Sequence, residues 1–365
     1  MKPRQKTVRI GVAAVALLSC AACHKSRGET GRLLLVEGTT GNRGIYAQPL
    51  DKEKSSELVL GDSVDGVPFA AGAGLLGTRN VSGDGDQLAR LGPGGKTADV
   101  LACKIDFLST VFALDDAGKH VLLKKMERGL DRIRFLDTES CQSTDLELRF
   151  SYRGDVAPDG SEAVIGGAPT SCTEKDVGRC PVTLYRLRLP GAAVSTEVLR
   201  GGARAHYMPR YAGDRIVFQT TERDGACDGS LNHCRHDLVS VPRAAPPDAP
   251  LALVREGAVG AAISPDGKRI AYLSYLGPET SCHEALPCPS MTLKVGELGD
   301  ANDTKDSVVA AGRVAAIPPH AFSLDGRYVV FSAQVPQNKR VAEACRTDGT
   351  DCQTFGEMRI LGWLK

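Results

Sequence analysis

Hydrophobic and polar positions along the chain fall into one recurring pattern. A short apolar stretch, often opened by proline, leads into an Asp-Gly turn, and a run of β-branched or aromatic residues follows. The clearest copies are Ile263-Ser264-Pro265-Asp266-Gly267-Lys268-Arg269-Ile270-Ala271-Tyr272 and Phe322-Ser323-Leu324-Asp325-Gly326-Arg327-Tyr328-Val329-Val330-Phe331. Looser copies run from Val156 to Ile165, from Phe112 to Val121 and from Pro209 to Phe218, and Pro68 to Gly77 aligns with the last of these. Each copy predicts a tight hairpin. Glycine accepts positive φ, aspartate bonds its own backbone, and the apolar run forms the next strand. The turn glycines Gly72, Gly118, Gly160, Gly213, Gly267 and Gly326 stand 46, 42, 53, 54 and 59 residues apart. Two more strand-like runs follow each hairpin, as Leu184-Tyr185-Arg186-Leu187 and Glu197-Val198-Leu199 do after Gly160. A unit of that length holding four short strands is a propeller blade, so the expected fold is all-β, a single β-propeller of four-stranded blades.

The ends of the chain decide the blade count. With strands lettered a to d outward from the axis, Arg32–Val36, Ile45–Ala47 and Glu57–Leu60 read as b, c and d of a blade lacking its first strand. At the other end, Pro318 to Ser332 supplies a and b, and Met358 to Leu364 supplies c. Counting both incomplete ends gives seven blades and displaces no strand, so seven is preferred. Six is the alternative, which merges the ends and leaves two strands over.

The Ser-Pro-Asp-Gly-Lys core and the Ile-Ala-Tyr after it resemble the TolB-type, WD40-like propeller repeat, in which an aromatic precedes Ser-Pro-Asp-Gly-Lys and Ile-Ala-Phe follows. The resemblance covers about residues 31 to 365. Two departures separate the chain from TolB itself. The tryptophan common before the turn is replaced by Ile263, Phe322 or Val156, and strand-like sequence beginning at Arg32 leaves no room for TolB's separate α/β domain. The resemblance implies a fold, and does not carry the Tol–Pal partnership with it.

Composition narrows the class. Hydrophobic residues make up 42%, enough for a core, and 24% charged residues argue against wholesale disorder. Lys+Arg of 45 against Asp+Glu of 44 leaves a net charge of +1, which gives no general basic surface for nucleic acid. The 5% of aromatic residues, with the single tryptophan Trp363, weaken any aromatic-lined carbohydrate cleft.

The amino terminus reads as an address. Lys2, Arg4, Lys6 and Arg9 precede an apolar run from Ile10 to Leu18, too short to span about 30 Å of hydrocarbon as a helix. Leu17-Leu18-Ser19-Cys20 resembles a bacterial lipobox, with Leu at −3, a small residue at −1 and the cysteine that becomes acylated. The expected organisation is a lipoprotein signal peptide over 1–19, a lipidated linker over 20–30 and the propeller over 31–365. Cys23 is the rival acylation site, although it would have Cys20 at −3. Cys20-Ala21-Ala22-Cys23-His24 also matches the c-type haem attachment pattern, but it abuts the cleavage site and runs into a solvated linker. No cofactor is expected.

Ten cysteines remain after Cys20 and Cys23. Eight form the close pairs Cys172/Cys180, Cys227/Cys234, Cys282/Cys288 and Cys345/Cys352, each read as lying in a lengthened loop between strands b and c. In an exported chain these pairs are local disulfide staples. Metal binding competes, since His233-Cys234-Arg235-His236 and Cys282-His283 set imidazoles beside thiols, but no pair has zinc-knuckle spacing. Cys103 and Cys141 pair by elimination. Propeller topology puts b–c loops on the face of the d–a connections, where such folds commonly bind ligands. Arg179, Asp228, His233, Arg235, His236, Glu284, Arg346 and Asp348 are therefore expected on one rigid, charged face.

Catalytic signatures are missing. There is no Gly-x-Ser-x-Gly elbow, no His-Glu-x-x-His and no complete Gly-x-x-x-x-Gly-Lys-Ser/Thr phosphate loop. Asp84-Gly85-Asp86 and Asp300-Ala301-Asn302-Asp303 lack calcium-loop spacing and read as surface turns. His120, His206 and His320 fall near strand ends and could converge on the channel as metal ligands. Two readings result. The first is a monomeric envelope lipoprotein, anchored by its lipid at the periplasm or cell exterior, binding an envelope protein or polar ligand. The second is a propeller hydrolase or lyase with a channel metal.

Overall fold

The computed structural model describes residues 31–37, 45–50, 57–60, 65–71, 74–81, 85–91, 98–106, 109–115, 117–173, 180–191, 196–201, 204–221, 236–274, 291–299, 305–335 and 339–364. Their strands make seven four-stranded antiparallel sheets. Blade 1 joins β1 (Arg32–Glu37), β2 (Ile45–Pro49) and β3 (Glu57–Leu60) to β28 (Met358–Leu364). Blade 2 is β4 (Asp65–Ala71), β5 (Gly74–Val81), β6 (Gly85–Leu91) and β7 (Ala98–Ile105). Blade 3 is β8 (Thr110–Leu114), β9 (His120–Glu127), β10 (Leu130–Asp137) and β11 (Ser143–Leu148). Blade 4 is β12 (Phe150–Val156), β13 (Glu162–Ala168), β14 (Thr183–Arg188) and β15 (Thr196–Arg200). Blade 5 is β16 (Ala205–Ala212), β17 (Arg215–Thr221), β18 (His236–Pro242) and β19 (Ala252–Arg255). Blade 6 is β20 (Ala258–Ile263), β21 (Arg269–Ser274), β22 (Thr292–Glu297) and β23 (Ser307–Ala310). Blade 7 is β24 (Val314–Ala316), β25 (Tyr328–Val335), β26 (Lys339–Arg346) and β27 (Gln353–Thr354). Contacts run from β28 to β4 and on through β8, β12, β16 and β20, so these first strands line the central channel.

The count of seven agrees with the sequence, but the last strands are placed differently. Met358–Leu364 is not strand c of blade 7. It is strand a of blade 1, hydrogen-bonded to β1 from Arg32↔Leu364 to Glu37↔Met358. Strand c of blade 7 is β26, which the sequence reading took for a loop. The reason is physical. β26 opens with Lys339-Arg340 and carries Glu343, whose polar character hides a strand. Glu343 is nevertheless buried, and Arg313 Nη1 donates to its Oε1 at 2.9 Å.

Burial explains why the strands read as they do. In the second strands, Val121-Leu122-Leu123, Ile216-Val217-Phe218, Ile270-Ala271-Tyr272 and Val329-Val330-Phe331 are buried without alternation. A strand buried on both faces needs a continuous apolar run, and here each blade is sandwiched between two others. The outer strands must instead blunt an exposed edge. In β15, β19 and β23 a bulge skips Leu199, Val254 and Val309, which turn inward, while their neighbours Val198, Leu253 and Val308 stay exposed.

The a–b turns follow the sequence pattern closely. Gly118, Gly160, Gly213, Gly267 and Gly326 have φ of 64°, 69°, 62°, 69° and 68°, in the left-handed region that favours glycine; Gly72 lies outside the described residues. Gly267 N donates to Ser264 O at 2.8 Å, and Lys268 N donates to Asp266 Oδ1 at 3.2 Å. Ser323, Asp325 and Gly326 repeat the arrangement.

These turns also hold neighbouring blades together. Arg243, just after β18, donates to Glu162 Oε1 at 2.8 Å and to Asp159 Oδ1 at 3.0 Å in the turn of blade 4. Those hydrogen bonds from Arg243 draw the Asp159 carboxyl down to about 2. Arg269 of blade 6 donates to Gly326 O at 2.6 Å. Arg255 of blade 5 is fully buried and donates to Asp306 Oδ2 at 2.7 Å, where Tyr272 OH also donates.

Trp363 in β28 is buried, and its Nε1 donates to Ala321 O at 3.3 Å in blade 7. Trp363→Ala should lower the unfolding free energy by about 3–5 kcal/mol in urea titration. Gly160→Ala should cost more than Gly267→Ala by the same measurement. Both substitutions pay about 1–2 kcal/mol for a left-handed residue. The new Cβ at Gly160 would also land on the ring of His120, which stands 2.8 Å from Asp115 Oδ2, whereas Gly267 has room.

Candidate binding face and central channel

The meander puts a–b and c–d turns on one face, and b–c and d–a connections on the other. Cys172 and Cys180 lie in the b–c connection of blade 4, joined by a disulfide with Cα atoms 6.0 Å apart. Cys180 and Val182 are buried at the base of this loop. His206 N, at the start of the inner strand of blade 5, donates to Val182 O at 3.0 Å. The base of the stapled connection is thus fixed to the rim of the channel. Beside it stands an aromatic group: Phe150 and Tyr152 meet edge to face at 5.6 Å, and Tyr152 meets Tyr207 at 4.7 Å. Phe150 and Tyr152 are half-buried, as is Met208 packed with them.

The expectation of four staples on one face fails for Cys345/Cys352. That disulfide joins the end of β26 to the start of β27, so it closes a c–d hairpin on the turn face. Arg346 and Asp348 stand exposed on the same hairpin, and Thr347 N donates to Arg327 O at 2.9 Å in the adjoining a–b turn. The misplacement follows from missing β26. Cys103 and Cys141 are joined, with Cα atoms 5.3 Å apart, and tie β7 of blade 2 to the c–d turn of blade 3. This crosslink acts between blades. Closing a loop of 38 residues would contribute about 3–4 kcal/mol in the chain-entropy model.

His236 is not a surface residue. It is 2% exposed in β18, with Nδ1 2.8 Å from Gln219 Nε2. Cys20, Cys23, Arg179, Cys227, Asp228, His233, Cys234, Arg235, Cys282, Glu284 and Cys288 lie outside the described residues.

The three histidines do not converge. His120 sits at the turn end of blade 3, paired with Asp115. His206 sits at the opposite end of blade 5, edge-on to Phe218 at 5.4 Å. His320 follows β24 at the turn end of blade 7. Among the described residues no three His, Cys, Asp or Glu side chains are grouped to hold a metal ion, so this donor set does not fit a channel metal.

All seven inner strands carry a bulge or register break against their second strands. In β12 the skipped residues are Tyr152 and Arg153, and in β16 they are Met208 and Pro209. Met208 has φ of 49°, and Gly260 at the break in β20 has φ of 60°. Bulges at such rims turn side chains that a regular strand would send into the sheet faces. Sequence periodicity gave no sign of them, because an extra residue merely looks like imperfect alternation.

No protein-family model matches the chain, and no curated protein does. Solved structures do. An oligogalacturonate lyase in complex with manganese aligns at TM-score 0.56 and 11% identity, covering 90% of this chain and 85% of that one. A puromycin-hydrolysing peptidase of Mycobacterium tuberculosis aligns at 0.53 and 12% identity, covering 90% of this chain and 54% of that one. TolB from Acinetobacter baumannii aligns at 0.48 and 14% identity, covering 89% of this chain and 80% of that one. The chain spans about half the length of the peptidase. At these identities the likeness establishes the class, a β-propeller, and nothing narrower.

His206 provides a test of the rim. Burial, then Arg200 and Arg204, lowers its imidazole pKa from 6.5 to about 4. A folded-state pKa below the unfolded one gives stability that is complete above about pH 6.5 and is lost as pH falls towards 4, a loss of about 3 kcal/mol. His206→Gln should flatten the fall in urea midpoint across this window, and the His206 ring should titrate near 4 by NMR. Titration near 6.5 would contradict the buried setting.

Proposed function

We propose that the chain is an exported bacterial lipoprotein, held at an envelope membrane by acyl groups on Cys20, whose propeller binds an envelope protein or a polar ligand. The observation that carries this reading is the Cys172–Cys180 disulfide, whose connection is anchored at its base to the channel rim beside half-buried aromatic residues. A preorganised loop loses less entropy on binding than a free one. The disulfides are consistent with an oxidising compartment, as export through the basic and apolar leader would provide. No helix among the described residues is long and apolar enough to cross a membrane, so in this reading attachment rests on the lipid.

The division of the faces supports the same reading. Arginines on the turn face are engaged in holding blades together, as Arg243 and Arg269 are. The b–c face carries the longer connections, where binding residues are usually found. Among the described residues no three metal-ligating side chains are grouped to carry the channel-metal form of the enzyme reading.

Cys20→Ser should abolish metabolic labelling by radioactive palmitate and release the protein from membranes; persistence of label would remove Cys20 as the anchor. In capture from envelope extracts, charge reversal at Arg179 and Arg235 should lower partner recovery several-fold. Reversal at Arg327 and Arg346 on the turn face should leave recovery unchanged. Melting temperatures should stay nearly constant for Arg327 and Arg346, which are exposed, because exposed charges contribute little to folding. Equal loss from both sets would refute the assignment of the face.

A further inference from the structure

One crosslink differs from the other described disulfides in what it joins. Cys172–Cys180 and Cys345–Cys352 each close a connection within one blade, whereas Cys103–Cys141 ties blade 2 to blade 3. Its two ends are unequally open to solvent. Cys103, in β7, is 2% exposed. Cys141 lies in the c–d turn of blade 3, within an exposed run from Glu139 to Gln142. An attacking group therefore reaches the bond from the Cys141 side.

The turn presents Cys141 through hydrogen bonds of its own. Asp137 O accepts from Cys141 N at 2.9 Å, and Asp137 Oδ1 accepts from Glu139 N at 2.8 Å and Ser140 N at 3.1 Å. Cys141 has φ of 59°, in the left-handed region where glycine or asparagine is the ordinary occupant. Cysteine is unfavourable there on backbone grounds, so what the position supplies is its sulfur.

The junction accommodates both states of the bond. Leu76, Leu88 and Ile105 of blade 2 pack in one buried cluster with Val121, Leu123 and Leu136 of blade 3, so apolar contact persists when the crosslink is open. Cys103 Sγ stands 3.3 Å from Thr138 O. A disulfide sulfur has no hydrogen to offer that carbonyl, but the thiol formed on opening does, and its buried S–H then has an acceptor in place.

We propose that Cys103–Cys141 is an exchangeable disulfide, opened at Cys141 by a dithiol protein of the same compartment, and that opening loosens blade 2 against blade 3 while the ring stays folded. Exposed and strained disulfides are the ones that exchange. A thiolate of the partner attacks Cys141 Sγ, the S–S bond breaks, and Cys103 leaves as a thiolate that takes up a proton. The partner's second thiolate then attacks its own sulfur in the mixed disulfide and releases Cys141, which takes up a second proton. Two electrons pass to this chain, and the partner is left as a disulfide. The proposal does not depend on the lipid anchor or on the b–c face.

Reduced glutathione at millimolar concentration, applied to the full chain in non-ionic detergent, tests the entry point. After acid quench and alkylation, peptide mapping by mass spectrometry should find glutathione on Cys141 and the alkyl group on Cys103. The rate should be flat across low urea, because the folded chain is what is attacked. Dithiothreitol should complete the opening. Amide exchange in β5 and β7 should then rise about ten-fold or more, while the melting transition stays cooperative. Cys103→Ala combined with Cys141→Ser should show the same exchange without reductant, which separates this crosslink from the other disulfides. Glutathione on Cys103, a rate that climbs with urea from the outset, or no opening at all would overturn the entry point. A double variant that fails to fold, or that exchanges no faster than the parent, would overturn the loosening.

Discussion

A ring of sheets exists only if its two ends are held together, and here one strand pairing does that. β28 bonds to β1 across more than 300 residues of sequence, placing the last strand innermost in the blade that the first strands begin. Such a non-local contact forms only after much chain entropy has been given up. It is reinforced on both sides. Trp363 reaches Ala321 O in blade 7, and Gln353 Nε2 donates to Leu50 O at 2.8 Å, tying blade 7 to blade 1 a second time. Once the ring is closed, every blade has a neighbour for each face, and the continuous apolar runs of the second strands can all be buried. Without closure, blades 1 and 7 would each leave such a face to water.

Closure also determines how polar residues are used. The same interfaces that bury Phe218, Tyr272 and Phe331 enclose Arg255, whose charge Asp306 balances at 2.7 Å and whose guanidinium stacks on Tyr272 at 5.4 Å. Gly296 makes room for that carboxylate, since a Cβ there would occupy its place. Burying one charge of such a pair without the other is far costlier than burying both. The turn face repeats the device in more solvated form, with Arg243 stacked on Tyr211 at 5.3 Å while it bonds to blade 4. Cys103–Cys141 does covalently between blades 2 and 3 what these arginines do elsewhere.

Much of this was legible in the sequence, and the exceptions share a cause. The a–b turns could be read because one residue type, glycine at positive φ, is close to obligatory there, as Gly160, Gly267 and Gly326 show. Seven blades followed from six such turns together with the strand-like runs left over at the two ends of the chain. β26 could not, because Glu343 and the opening Lys339-Arg340 look solvated until Arg313 is brought beside Glu343 by blade 7 itself. That one missed strand moved Met358–Leu364 to the wrong blade and Cys345–Cys352 to the wrong face. The pairing of Cys103 with Cys141 followed from elimination, but its role between blades depended on tertiary contacts that no local pattern encodes. His236 illustrates the same limit: a histidine flanked by polar residues reads as surface, and only the strand register shows it turned inward towards Gln219.

The breaks in the inner strands belong to the same class of hidden information, and they bear most directly on what the channel can do. Side chains of a regular strand alternate between the two faces of its sheet, and in this molecule both faces are filled by neighbouring blades. A long polar side chain that keeps to this alternation must be buried and paired, as Arg210, opposite Val217, is only in part. A bulge turns the chain locally and frees a residue from that alternation. In β12 the freed residues are Tyr152 and Arg153: the aromatic ring goes to the rim against Tyr207, and the guanidinium remains open to the channel. The backbone strain at Met208, a non-glycine residue at φ of 49°, falls at the matching break in β16. Strain of this kind persists only where the surrounding structure enforces it. Ring closure supplies that enforcement, because the inner strands on either side of blades 4 and 5 leave β12 and β16 little room to relax.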